Sequence, residues 1–148
     1  ALRLGDAEAV SAAAERLLAL PEAEGAELLV EAMAEPGPEL LIAATSDAVV
    51  PALVVGLGGI WTEAFADVAI VPLPASPERV EAALRGLRGA ALLTGGRGST
   101  PVDLTAVARA ASRAGELLLD ERLELLELNP LIAGPDGCVA VDAVARRR

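Results

Sequence analysis

Histidine, lysine and tyrosine are absent from this chain, and cysteine, methionine, tryptophan and phenylalanine occur once each. Each gap excludes a chemistry. Without histidine, and with Cys138 as the single thiol, the chain cannot build a zinc site from imidazole and thiolate. Nor can it assemble a Ser-His-Asp or Cys-His nucleophile of its own. One cysteine makes no internal disulfide, which suits a reducing compartment, and a cytoplasmic location is the expectation. Without lysine the phosphate loop G-x-x-x-x-G-K-[ST] is impossible. Positive charge is scarce: 12 basic residues, all arginine, face 22 acidic ones, a formal charge of −10 over 148 residues. That balance opposes nucleic-acid binding, which needs a basic face. Long apolar runs are missing too. The longest uncharged stretch, 48–62, is interrupted by Pro51, Gly56, Gly58 and Gly59. It falls short of the ~20 residues of a membrane-spanning helix, and the first six residues carry no signal-peptide pattern.

Core-forming material is plentiful, since 53% of the residues are hydrophobic. A single domain of this length buries roughly two-thirds of its unfolded surface. Asp6 predicts an N-cap for a helix running to about Leu20, with Val10, Ala13, Ala14, Leu17 and Leu18 as its apolar stripe. Three strand-length apolar runs follow, over 26–33, 39–45 and 49–56. The turn compositions between them are too short for parallel crossovers, so antiparallel neighbours are expected. The stretch 64–73 returns as a further strand. Ser76-Pro77 opens a helix ending near Gly86 or Gly89. Thr100-Pro101-Val102-Asp103 has the composition of a capping box and predicts a helix reaching Asp120. Strands over 125–132 and 139–144 close the chain around Gly134-Pro135-Asp136-Gly137. The order is α+β rather than alternating βαβ.

The last hairpin carries the most informative arithmetic. With Pro135 and Asp136 as the loop, paired positions sum to 271, so Asn129 faces Asp142. Opposed side chains on an antiparallel pair share a face with Cβ atoms ~5 Å apart. Glu127, two residues before Asn129, shares it as well. Leu126, Leu128, Val139 and Val141 are then expected on the core side. Two carboxylates and an amide oxygen are the hard donors that Mg²⁺ takes. A three-residue loop would shift the pairing by one and turn Asp142 away. The spacing alone therefore leaves two readings, a metal-holding face and an ordinary solvated one.

Two glycine-rich stretches also keep alternatives open. Gly56-Leu57-Gly58-Gly59 after an apolar strand is either a tight turn or a loop whose N–H groups approach a phosphate. Arg97, between Gly96 and Gly98, is either a loop arginine or a phosphate contact. Glu63 reads as a surface residue. Trp61 reads as a rim or core residue, with a pocket lining as the other option, and Cys138 as packing.

In order and spacing, several segments together resemble a known family. They are Glu27-Leu28-Leu29-Val30-Glu31-Ala32-Met33, Gly37-Pro38-Glu39-Leu40-Leu41-Ile42, Val55-Gly56-Leu57-Gly58-Gly59-Ile60-Trp61-Thr62-Glu63, Gly96-Arg97-Gly98, Leu126-Glu127-Leu128-Asn129-Pro130-Leu131-Ile132 and Val139-Ala140-Val141-Asp142-Ala143. The family is the ATP-grasp part of the nucleoside-diphosphate-forming acyl-CoA synthetases, which include ADP-forming acetate–CoA ligase and are kin to the succinyl-CoA synthetase β chain. The resemblance implies one ATP-grasp C-terminal lobe over 1–148, a largely antiparallel sheet with helices on one face. It implies an ATP/ADP and Mg²⁺ site in an enzyme that joins a carboxylic acid to coenzyme A through an acyl phosphate and a phosphohistidine. By motif match, Asn129 and Asp142 would ligate Mg²⁺ with Glu127 beside them. Gly56, Gly58, Gly59 and Arg97 would lie near phosphate, and Glu31 near the nucleotide. The implied partners are a preceding lysine-bearing lobe and the histidine-bearing and CoA-binding domains of a larger protein, with a possible oligomer. The chain alone is expected to be inactive. A regulatory module of a protein acetyltransferase and a non-catalytic interaction domain are the alternative functions.

Overall fold

The structure, a computed structural model, describes residues 1–47, 49–59 and 67–147. It divides into two compact units, Ala1–Ala34 and Glu35–Arg148. In the first, the Asp6 carboxylate accepts from the Ala9 amide at 2.8 Å and starts helix α1, Ala7–Leu18. The helix stops two residues before its expected end, and a 3₁₀ turn follows at Pro21–Ala23. The expected strand over 26–33 does not form. A strand needs a neighbour for its N–H and C=O groups, and no described residue pairs with this stretch. Its side chains are correspondingly open, Leu29 at 81% and Val30 at 68% exposure.

The second unit contains, among its described residues, six strands and two helices. They are β1 (Glu39–Thr45), β2 (Ala52–Leu57), β3 (Val68–Pro72), α2 (Pro77–Arg85), α3 (Leu104–Asp120), β4 (Leu123–Gly134), β5 (Gly137–Ala140) and β6 (Ala143–Arg147). The sheet runs β3-β2-β1-β4-β5, with β6 also on β4, and every pairing is antiparallel. The α+β reading therefore holds. Strand β2 begins at Ala52 rather than at 49, because Pro51 has no N–H to give a ladder. Of the expected strand over 64–73, residues 64–66 lie outside the described set.

Alternating residues of the sheet build the core. Leu40, Ile42, Leu53, Val55 and Val71 bury against Val80 and Leu84 of α2 and Val107, Ala111 and Leu118 of α3. Each large aliphatic side chain removed from water contributes about 1.5–3 kcal/mol. Ser76 caps α2 by accepting from the Arg79 amide. Helix α3 starts later than its expected cap. Val102 donates its amide to Leu93 O and Asp103 to Gly134 O, so neither is available to a helix at Thr100. Asp103 itself caps α3 through the Ala106 amide at 2.9 Å. No helix among the described residues is long and apolar enough to cross a membrane.

Candidate functional site

Gly134 pairs with Gly137, so the two-residue loop sets the expected register. The sum of 271 persists past β5. Asn129 donates its amide to Asp142 O at 3.1 Å, Val141 donates to Pro130 O at 3.0 Å, and Leu128 pairs with Ala143. The Asn129–Asp142 juxtaposition is therefore present in the backbone.

On its other edge β4 is irregular. Leu40 pairs with Leu131, but Ile42 pairs with Leu128, so two steps along β1 meet three along β4. The extra residue falls at Asn129-Pro130, opposite Leu41. A bulge of this kind inverts which side chains face the core. Leu126 is buried before it, and Leu131 and Ala133 after it. This overturns part of the expected core face. Leu126 and Leu128 pack as expected, but Val139 and Val141 are 49% and 52% exposed. Cys138, opposite Ala133, takes the core side instead. Burial and the nearby Asp103 charge push its thiol pKa up, as befits a packing cysteine.

Glu127 and Asn129 do share a face: the Asn129 Nδ2 donates to Glu127 Oε1 at 3.1 Å. Asp142 Oδ1 accepts from the Ala143 amide at 2.8 Å. Among the described residues no three or more His, Cys, Asp or Glu side chains gather closely enough for a metal. Here only two carboxylates are near, and one is engaged by Asn129. Among the described residues, Asn129 Oδ1, Glu127 Oε2 and Asp142 Oδ2 are the side-chain oxygens of this group that accept no hydrogen bond.

Strand pairing carries this row across the sheet. Gly56 pairs with Leu41, and Leu41 lies opposite the bulge at Asn129. Gly56 and Asn129 are thus two strand spacings apart, about 10 Å. Gly56 itself is a packing residue, because a Cβ there would lie 2.7 Å from Asp67 O.

Gly58 and Gly59 line a cavity of about 450 Å³ together with Gly37, Pro38, Glu39, Leu92 and Ser99. Gly58 donates its amide to Glu39 O at 2.7 Å. Gly59 has φ +63°, and a Cβ on it would sit 2.9 Å from the Glu39 carboxylate. Ser99 follows directly on the 3₁₀ turn Gly96–Gly98. The second glycine stretch thus reaches the cavity through Ser99, and Gly95, Gly96 and Gly98 do not line it. The Arg97 side chain, Trp61 and Glu63 lie outside the described residues. Glu31 is exposed in the first unit, in a stretch without regular structure.

Two residues here escaped the sequence reading. Glu39 lies against the Gly59 loop, and its only signal is a charge at the start of an apolar strand. Asp67 is 8% exposed. Its carboxylate accepts from the Arg88 amide at 3.0 Å and the Gly89 amide at 2.8 Å, with the Arg88 Nε 3.6 Å away. Burial works to raise its pKa, but the two amide hydrogen bonds and the Arg88 charge outweigh it and hold the carboxyl below its ordinary value.

The family described as the ATP-grasp domain matches residues 1–146. The chain is similar to the β subunit of ADP-forming acetate–CoA ligase I of Pyrococcus furiosus, with 35% identity over 94 residues, 63% of this chain and 40% of that one. To the β subunit of ligase II of the same organism it is 30% identical over 128 residues, 83% of this chain and 54% of that one. It therefore spans about half the length of these relatives. A solved dinucleotide-forming acetyl-coenzyme A synthetase 1 of Ca. Korarchaeum cryptofilum, in complex with coenzyme A and Mg-AMPPCP, matches with a TM-score of 0.88 and 35% identity. That match covers 100% of this chain and 67% of the other.

Proposed function

The chain belongs to the ATP-grasp family, and from that premise we propose that it supplies part of the ATP/Mg²⁺ site of an ADP-forming acid–CoA ligase. The observation that carries the reading is the row across the sheet. Asn129 and Asp142 are paired through their backbones at a bulge, which supports their side chains serving one ion, and the glycine-walled cavity lies towards one end of the same sheet.

The charge balance supports a cation. A chain at −10 without lysine meets a polyanionic nucleotide with strong repulsion unless a divalent ion intervenes. The donors fit one, since amide and carboxylate oxygens are what Mg²⁺ prefers. A Mg²⁺ held there would offset charge that develops during phosphoryl transfer. The protein's own part is placement. Glu127 turns the Asn129 amide so that oxygen, not nitrogen, points to the open side. Gly59 leaves room for a terminal phosphate, because among the described residues the movable carboxylate of Glu39 is what stands above it, whereas Gly58 is packed against the Glu39–Leu40 backbone.

The overall reaction joins a carboxylic acid to coenzyme A, converting ATP to ADP and phosphate through an acyl phosphate and a phosphohistidine. This chain has no histidine, so the phosphorylated imidazole belongs to another part of the assembly, as do coenzyme A binding and a lysine for the nucleotide phosphates. The chain alone is inactive in this reading and works in the cytoplasm.

The test is Mg·ADP titration of the full-length parent beside its Asn129→Ala and Asp142→Ala variants. Both variants are expected to need at least about tenfold more Mg²⁺ for half-saturation. Wild-type metal dependence in both rejects the metal assignment.

A further inference from the structure

Asp67 takes no direct part in the proposed site, yet it braces one of its walls. Its two carboxylate oxygens hold the consecutive amides of Arg88 and Gly89, just after α2. Gly89 in turn packs against both Asp67 and Leu57. A Cβ added there would lie 3.3 Å from Asp67 Oδ2 and collide with Leu57 Cδ1. Leu57 lines the cavity and leads directly into Gly58 and Gly59. At its backbone Asp67 also abuts Gly56, which pairs with the next residue, Val68.

We propose that Asp67 is a positioning residue for the glycine-walled cavity: by pinning the Gly89 turn against Leu57, it fixes the Leu57–Gly59 wall where the terminal phosphate sits. The phosphate part of this inference rests on the function proposed above; the bracing of the wall does not. An ion pair on the surface would not need this arrangement. Two backbone donors converging on one buried carboxylate fix the turn in direction as well as in distance. The φ of Gly89 is −88°, a value any residue adopts. Glycine is required there for lack of space, not for backbone freedom.

Two substitutions pull the same lever from opposite sides. Asp67→Asn keeps the volume but offers one acceptor to two donors. Gly89→Ala keeps the carboxylate but pushes Leu57. Val107→Ala, a core truncation in α3, is the control for plain loss of stability. In the full-length parent, both test variants are expected to raise the KM for nucleotide on the order of tenfold. At saturating nucleotide kcat stays within about twofold, because the reacting groups are untouched. Hydrogen exchange at the Gly58 amide is expected to speed up in both and to stay unchanged in Val107→Ala.

Wild-type KM together with wild-type Gly58 exchange in the two variants overturns the proposal. So does a Val107→Ala variant that reproduces both effects. Should Asn at position 67 prevent folding, Gly89→Ala decides by the same readouts. A wild-type parent that binds no nucleotide refutes the proposed function instead. Gly58 exchange then decides the bracing alone, with faster exchange supporting it and unchanged exchange overturning it.

Discussion

The Asn129 amide donates from Nδ2 to the Glu127 carboxylate at 3.1 Å, two residues back along β4, and this one bond decides which way the amide faces. A carboxylate only accepts, so the NH₂ end must turn to it and Oδ1 is left open. In the proposed site Glu127 would orient Asn129 through Oε1, with its Oε2 still open as a donor.

Removing its charge tests that role. Glu127→Gln offers a weaker acceptor, and a second amide that can pair either way round. The full-length parent carrying it is expected to need about 10-fold more Mg²⁺ for nucleotide binding, the low end of what outer partners of metal ligands contribute. Stability should change little at this partly exposed position. An unaltered Mg²⁺ titration would make Glu127 an ordinary surface residue.

Asp67 gives a pH dependence with a defined sign. Its folded pKa lies below the ordinary value of 3.8, because two amides and Arg88 favour the charged form more than burial disfavours it. A depressed carboxyl pKa contributes stability that is fully present above 3.8 and is lost as pH falls through the folded value. Urea unfolding of wild type and Asp67→Asn should show a constant gap between pH 5 and 8, roughly the range of maximal stability. The gap should narrow once the pH drops below the ordinary carboxyl range. A gap that is the same in acid and at neutral pH would mean that the hydrogen bonds do not depend on the charge.

Much of this architecture was legible because local signals and tertiary packing agree. Asp6 and Ser76 cap the helices their spacing predicts, and the Gly134–Gly137 turn sets the pairing from Ala133–Cys138 to Asn129–Asp142. The failures arise where a distant segment decides. The apolar run 26–33 reads as a strand, but a ladder needs a partner that periodicity does not reveal. Thr100-Pro101 reads as a cap, but Leu93 and Gly134 capture the amides of Val102 and Asp103 first. The bulge at Asn129-Pro130 adds one residue against Leu41 and exchanges the faces of everything beyond it. Strict alternation therefore assigned Val139 and Val141 to the wrong side. The Asn129–Asp142 pairing survived because both strands of the hairpin cross the irregularity together. Asp67 was invisible for a different reason: its importance lies in two backbone amides 21 and 22 positions away.

Ser112 is 3% exposed in the middle of α3, and its hydroxyl has no hydrogen-bond partner among the described residues. A buried unpaired hydroxyl costs about 1–3 kcal/mol in lost hydration. Alanine removes that cost and has the higher helix propensity. Ser112→Ala is expected to stabilise the protein by about 1 kcal/mol, since the small void left behind offsets part of the gain. The check is the denaturant midpoint at unchanged slope. A lower midpoint would contradict the orphaned hydroxyl.

The glycines of 56–59 should separate stability from binding. A Cβ on Gly56 would meet the backbone oxygen of Asp67 at 2.7 Å, and backbone cannot swing away. Strands β2 and β3 must then part, so Gly56→Ala is expected to destabilise by about 1–3 kcal/mol, the cost of overpacking. Gly59 sits at φ +63°, where alanine costs about 1–2 kcal/mol. Its steric neighbour among the described residues, the Glu39 carboxylate, ends a flexible exposed side chain and can move. Gly59→Ala should therefore be the milder change for folding. For nucleotide binding by the full-length parent the order should invert, because Gly59 faces the cavity while Gly56 is enclosed between strands. Unfolding midpoints and nucleotide dissociation constants for the two variants give both orders. If Gly59→Ala bound nucleotide as wild type does, the cavity would not be where the phosphate lies, whatever its effect on stability.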